Sequence, residues 1–186
     1  MRNVIIAVLG VLVLSGCAPI WVQTKGPFQG AGYTLDLPQG WMATTNPKRM
    51  VVTHDGPELQ SVYVLVVDIS EQEKNKDNKK PSGKRFKRGM LPQEAAEALL
   101  DNMRSDQGLG QFTVVENKPA QVGGKDGFRL VYTYKNNKLR NQCIYYGMLH
   151  DEKFYRISYC ATVRYYFEKD VAEFEKIVAS FKVNTE

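Results

Sequence analysis

The sequence predicts a single α+β domain built on an antiparallel sheet that is covered on both faces. Three observations predict it. Four strand-like segments, roughly 112–121, 126–135, 139–149 and 154–162, follow one another with short turn-forming stretches between them, the pattern of a meander. Residues 60–69 are apolar on both faces of an extended chain, with Val62, Val64 and Val66 on one and Tyr63, Leu65, Val67 and Ile69 on the other, so this strand needs cover above and below. Two further stretches space their apolar residues by threes and fours, which marks amphipathic helices.

The elements follow in order. Gly32-Tyr33-Thr34-Leu35-Asp36-Leu37 alternates as a short strand, Pro38-Gln39-Gly40 turns it, and Trp41 opens the next element. Arg49 to His54 is a second strand, and 60–69 a third. The charged stretch 71–89, broken by Pro81-Ser82-Gly83, reads as a loop. Leu91-Pro92-Gln93-Glu94 starts a helix, with proline in the first turn and an acid just after. Its buried stripe is Ala95, Leu99 and Met103, flanked by Ala96 and Leu100, and Gly108 and Gly110 end it. In the meander, Gly123 to Gly127, Asn136-Asn137 and His150 to Lys153 supply the turns. A final helix carries the stripe Phe167, Val171, Phe174, Val178 and Phe181.

The N-terminus is of another kind. A basic start, Met1-Arg2-Asn3, precedes an unbroken apolar run from Val4 to Leu14, the length of a signal-peptide core and too short to span a bilayer. Leu14-Ser15-Gly16-Cys17 then resembles the lipobox of bacterial lipoproteins. That resemblance implies a signal peptide at 1–16, cleavage before Cys17, and two or three acyl chains on that cysteine. Multiple chains give stable membrane attachment where one does not. Residue 18 is Ala and not Asp, which by the sorting rule of such lipoproteins favours the outer membrane, facing the periplasm. Residues 17–31 read as a lipidated tether, because Pro19, Gly26, Pro27 and Gly30 break regular structure. Fully extended, this tether reaches on the order of 45–50 Å. Ile20, Trp21 and Val22 would dock on the domain or lie in the membrane interface.

Charge is concentrated in one place. The chain carries a net charge of +5. The stretch 71–89 alone carries +5, and the rest of the mature chain sums to −1. The basic residues Lys79, Lys80, Lys84, Arg85, Lys87 and Arg88 are therefore candidates for contact with an anionic lipid or envelope partner. A solvated spacer is the other reading of the same composition. An exported chain is a poor partner for nucleic acid.

Two short motifs, Tyr33-x-Leu35-x-Leu37-Pro38-x-Gly40-Trp41 and Phe174-x-x-Ile177-x-x-Ser180-Phe181, together with the element order, resemble the PsbP-like superfamily of PsbP and DcrB type. The resemblance covers residues 32–183. It implies an antiparallel sheet sandwiched by helices in a single domain, and a binding or assembly-support role with no shared catalytic site. Searching the residues for chemistry agrees. There are two histidines, His54 and His150. His54 and Asp55 are chain neighbours, which on a strand point to opposite faces. There is no nucleophile elbow, metalloprotease helix or Cys-x-x-Cys pair. No catalytic residue, metal site or cofactor is expected. The alternative is an envelope hydrolase or transferase, for which a pocket holding His54 or His150 beside a carboxylate or serine would speak. Eight of the ten tyrosines fall between Tyr132 and Tyr166, and Tyr132 and Tyr134 share a face with Phe128 and Leu130, as core residues do.

Two cysteines remain beyond Cys17. An even-length turn centred between Asp151 and Glu152 pairs residues whose numbers sum to 303, and Cys143 with Cys160 meets that condition. With a two-residue turn they fall at a non-hydrogen-bonded pair, where Cα atoms approach to about 4.5 Å. In an oxidising compartment this register predicts a disulfide. Ile144, Met148, Tyr155 and Ile157 mark the core side of that hairpin, which leaves the bridge on the less apolar face.

Overall fold

The computed structural model of the chain describes residues 21–74, 84–136 and 138–184. Eight strands form one antiparallel sheet: β1 (Trp21–Gln23), β4 (Met42–Thr44), β5 (Arg49–Thr53), β6 (Gln60–Asp68), β7 (Gly110–Val122), β8 (Lys125–Asn136), β9 (Leu139–His150) and β10 (Lys153–Thr162). Their order is β1-β4-β5-β6-β10-β9-β8-β7. A second sheet of three short strands, in the order β11-β3-β2, is made of β2 (Pro27–Gln29), β3 (Tyr33–Asp36) and β11 (Lys182–Val183). The helices are α1 (Ile69–Lys74), α2 (Pro92–Ser105) and α3 (Tyr166–Ser180).

The meander lies where the sequence puts it, with each strand extended by one to three residues. Tight turns drive it: Gly123 and Gly124, and then Asp151 and Glu152, all have positive φ, as two-residue hairpin turns of this twist demand. His150 pairs with Lys153, and the register runs unbroken to Cys160 opposite Cys143.

Alternation divides the main sheet into two apolar faces. On one, Phe128, Leu130, Tyr132, Cys143, Tyr145 and Phe154 pack under Ala95, Ala96 and Leu100 of α2. On the other, Val62, Val64, Ile144, Met148, Ile157 and Tyr159 meet Phe167, Phe174 and Ile177 of α3. Both faces are covered, as the strand 60–69 requires, but helices alone do not make the sandwich. The small sheet shares the second face with α3: Tyr33 stacks on Phe181 with ring centroids 5.5 Å apart, and Tyr155 meets the same ring edge-on at 6.0 Å. The mixed cover follows from area, because one 15-residue helix is too narrow to roof eight strands.

Three expectations change. The tether read over 17–31 contains two strands: β1 pairs with β4 and β2 with β3. Neither was legible, because a three-residue strand at a sheet edge needs no alternation of its own. The loop read over 71–89 is shorter, since Asp68 accepts hydrogen bonds from the backbone N–H groups of Ser70 and Glu71, at 2.9 and 3.2 Å, and so caps α1. Residues 84–89 are docked: Phe86 stacks on Phe154 with centroids 3.8 Å apart. Finally, the hairpin cysteines lie opposite Ile144, Met148, Tyr155 and Ile157, as expected, but the face they occupy is a second core. Cys143 is fully buried beneath α2.

Candidate functional site

Two clusters of polar side chains interrupt the apolar packing. The first is a corner where α3 begins. Thr53 ends β5, so His54 and Asp55 follow in a bend and not on a strand, and the strand rule that separates them lapses. The bend is built by Gln60, whose Oε1 accepts from the His54 backbone N–H at 2.8 Å, and by Thr53, whose hydroxyl donates to the Gln60 carbonyl at 2.7 Å. His54 stacks on Trp41, with centroids 5.2 Å apart and planes 7° from parallel. Its Nδ1 lies 3.2 Å from Oδ1 of Asp170 and 4.0 Å from Oδ2 of Asp55. Asp170 is 4 % exposed, and its Oδ2 has no hydrogen-bond partner. Lys169 donates to both oxygens of Asp55, at 2.8 and 2.6 Å, and that hydrogen bond raises the lysine pKa.

His54, Asp55 and Asp170 offer three ligand atoms within 4.8 Å of one another, a spacing that suits a divalent cation. Lys169 already holds the cation position at Asp55. The corner is thus a polar clamp between α3 and the β5–β6 turn. For nucleophilic catalysis one part is missing: among the described residues, no hydroxyl or thiol hydrogen-bonds to the His54 ring. His150 is placed likewise, 3.2 Å from the exposed Asp151 and without a nucleophile. Sequence reasoning missed this corner because Asp170 and His54 are 116 residues apart.

The second cluster lies on the α2 face. Along β10, that face presents Phe154, Arg156, Ser158 and Cys160, so two polar residues sit inside an apolar row. Arg156 lies between two rings, its Cζ 4.8 Å from the Tyr63 centroid and 4.9 Å from that of Tyr145, and its Nε donates to the Ser158 hydroxyl at 2.9 Å. No carboxylate pairs with Arg156 among the described residues. A groove of about 680 Å³ opens beside it, walled by Leu99, Met103 and Leu109 and floored by Tyr132, Tyr134 and Cys160. Burial pushes the Tyr132 hydroxyl up to about 12 and raises that of Tyr134. Both therefore stay protonated donors near neutral pH.

The sequence-expected residues are distributed as follows. Cys17, Lys79 and Lys80 lie outside the described residues. Lys84 pairs with Asp101, and Arg88 with Glu152 at 2.9 Å. Lys87 is exposed, and Arg85 is half-buried. The basic stretch is therefore tied down at its C-terminal end and partly neutralised. Cys143 and Cys160 are joined, with sulfurs 2.04 Å and Cα atoms 4.2 Å apart. Tyr132 is core, as expected, but it and Tyr134 also line the groove.

Comparisons with known proteins bear on the whole domain. Among solved structures, the solution structure of cyanobacterial PsbP from Synechocystis sp. PCC 6803 matches with a TM-score of 0.56 at 14 % identity, covering 95 % of this chain and 99 % of that one. The Ran-binding protein Mog1p of Saccharomyces cerevisiae matches with a TM-score of 0.52 at 10 % identity, over 89 % of this chain and 95 % of that one. A protein of Bacteroides thetaiotaomicron VPI-5482 matches at 0.53 and 10 %, over 89 % of this chain and 50 % of that longer one. A sequence comparison with curated proteins finds no match. The family profile of PsbP, however, fits residues 27–183, which runs from the first residue of β2 to the last of β11 and takes in the small sheet, the main sheet except β1, and all three helices. With that span matched, and with the fold it implies in place, the chain belongs to the PsbP family.

Proposed function

We propose that the protein is a lipid-anchored envelope protein whose domain works as a non-enzymatic binding or support module, attached through Cys17 to the outer membrane and facing the periplasm. The observation that carries the binding reading is the family match over residues 27–183, joined to a pair of histidines that have carboxylate neighbours and, among the described residues, no nucleophile bonded to them. The fold it shares with Mog1p, itself a Ran-binding protein, supports the reading that such a domain serves recognition. Among the described residues no helix is long and apolar enough to cross a membrane, so attachment rests on the lipobox. Replacing Cys17 with Ser should abolish lipid labelling and release the protein from membranes. Unchanged labelling and extraction would overturn the anchor.

Partner recognition is assigned to the basic residues Lys79, Lys80, Lys84, Arg85, Lys87 and Arg88 and to the hairpin beside them. Photo-crosslinkers placed at Lys87 and at Asp151 should trap a discrete envelope protein or an anionic lipid in cells. Vesicle binding by the non-lipidated domain should be stronger with anionic than neutral lipid and should weaken with salt. Equal binding after neutralising Lys79, Lys80 and Lys87 would leave this stretch as a spacer.

One observation favours a second reading. His54 with Asp170 is the base and orienting half of a hydrolase or transferase site. Turnover of an ester, phosphoester or glycoside substrate by the parent, lost in His54→Ala, would replace the binding reading with an enzymatic one.

A further inference from the structure

We infer that the groove beside α2 binds a small amphiphile with one anionic head, a carboxylate or phosphate, seated on Arg156 and Tyr134, with its apolar body along Leu99, Met103 and Leu109. The inference rests on the binding-module reading and names a ligand class for it.

The first support is the state of Arg156. A half-buried guanidinium has lost part of its hydration, and a folded protein normally returns a carboxylate to it. Here the return is two aromatic rings and one hydroxyl. The rings of Tyr63 and Tyr145 flank the guanidinium and hold its side chain in place, while Ser158 occupies only Nε. Among the described residues, neither terminal amino group has a hydrogen-bond partner, which leaves both for an acceptor. Two parallel N–H groups suit a carboxylate or a phosphate.

The second support is Tyr134. Tyr134 lines the same groove, and its hydroxyl, which also feels the charge of Glu58, has no hydrogen-bond partner among the described residues. Burial keeps it protonated. Arg156 thus presents charged donors, and Tyr134 a hydroxyl that can donate, to one space, a pairing that suits an anion. The acid that lines the groove, Asp106, is already engaged, because its Oδ1 accepts from the Gly108 backbone at 2.9 Å. It caps its own turn instead of pairing with Arg156.

The third support is the wall. Leu99 and Met103 are two successive turns of α2 on one side, and Leu109 follows the helix end. Methionine adapts to apolar guests of varied shape. The groove's volume of about 680 Å³ falls within the usual range for small-molecule sites. The Cys143–Cys160 bridge gives the floor a fixed geometry.

The test is isothermal titration of the non-lipidated, oxidised domain with decanoate, decyl phosphate and decyl alcohol. Decanoate or decyl phosphate should bind at least about tenfold more tightly than the alcohol. The ratio of the two anions identifies the head the site prefers. Arg156→Gln should lose about tenfold or more for the anions and nothing for the alcohol, whereas Lys176→Gln on α3 should behave as the parent. Met103→Trp, which fills the groove and leaves every charge in place, should abolish binding of all three, and it decides the matter if Arg156→Gln fails to fold. Equal affinity for acid and alcohol, unchanged binding in Arg156→Gln, or no heat with either anion up to about 1 mM would overturn the inference. Such a failure would leave the binding-module reading standing, since the crosslinking experiment reports macromolecular partners at another surface.

Discussion

Gly147 has no side chain because Phe128 uses its space. A Cβ built there would lie 2.4 Å from Cζ of the Phe128 ring, which is itself wedged among Tyr145 and Phe154. Gly147→Ala should therefore destabilise by about 1–3 kcal/mol, read as a lower urea midpoint with an unchanged slope. Arg129 is a second pivotal residue. It donates to Glu116, to Tyr146 Oη at 2.9 Å and to Glu175 Oε1 at 3.3 Å, while Tyr146 donates to Glu175 at 2.8 Å. Burial works to raise the Glu116 pKa, but hydrogen bonds from Lys118 and Arg129 outweigh it and bring it below its ordinary 4.5. A carboxylate with a depressed folded pKa contributes stability that is present above the unfolded pKa and lost as pH falls through the folded one. Glu116→Gln should thus be less stable than the parent at pH 7, by no more than about 1 kcal/mol for a pair this exposed. That gap should close as pH drops below 4.5 in paired thermal melts. Neither residue was legible in the chain. A glycine in an apolar strand announces a close approach without naming the ring, and Arg129 looks like any charge on the outer face of a strand.

At the scale of elements, the β9–β10 hairpin was legible to the residue, because parity and a two-residue turn are all that its register needs. The bridge it brings together spans 17 residues, and by loop entropy its loss should cost about 3 kcal/mol. Alkylation of the denatured, unreduced protein should add no mass at Cys143 or Cys160, and the double Ala variant should melt earlier by the corresponding amount. The face of the bridge was read correctly but its cover was not, because α2, which supplies it, lies some forty residues upstream in sequence. The segment 84–89 shows the opposite failure. Its composition is that of a solvated loop, yet the Phe86 ring, with the Lys84–Asp101 and Arg88–Glu152 pairs at its ends, holds it on the domain. Phe86→Ala should cost about 1–3 kcal/mol, since the site is half-buried, and should speed proteolysis in this segment while sparing the meander. Of the three-stranded sheet only its middle strand, β3, was foreseen. Its pieces come from residues 27–29, 33–36 and 182–183, and only the finished core brings them together.

At the scale of the molecule, one sheet carries two cores and leaves two edges. β7 forms one of them, protected by register breaks between Gly110 and Thr113 and between Val114 and Glu116, and by Lys118 and Pro119. β1 forms the other, and its position changes how the domain would meet a bilayer. Only four residue steps separate Cys17 from Trp21, at most about 14 Å of chain. An acylated Cys17 would therefore moor the sheet by its β1 margin, as a gate is hung from one post, close against the headgroups. Seven strand spacings, on the order of 33 Å, lie between that post and the free margin at β7. The protein would then have a short, fixed working radius in the periplasm. Partners beyond it would be out of reach until the mooring is lengthened: inserting a flexible segment after Ala18 should extend the crosslinking distance without altering the fold, and a spacer that changes nothing would mean that the domain was never held close.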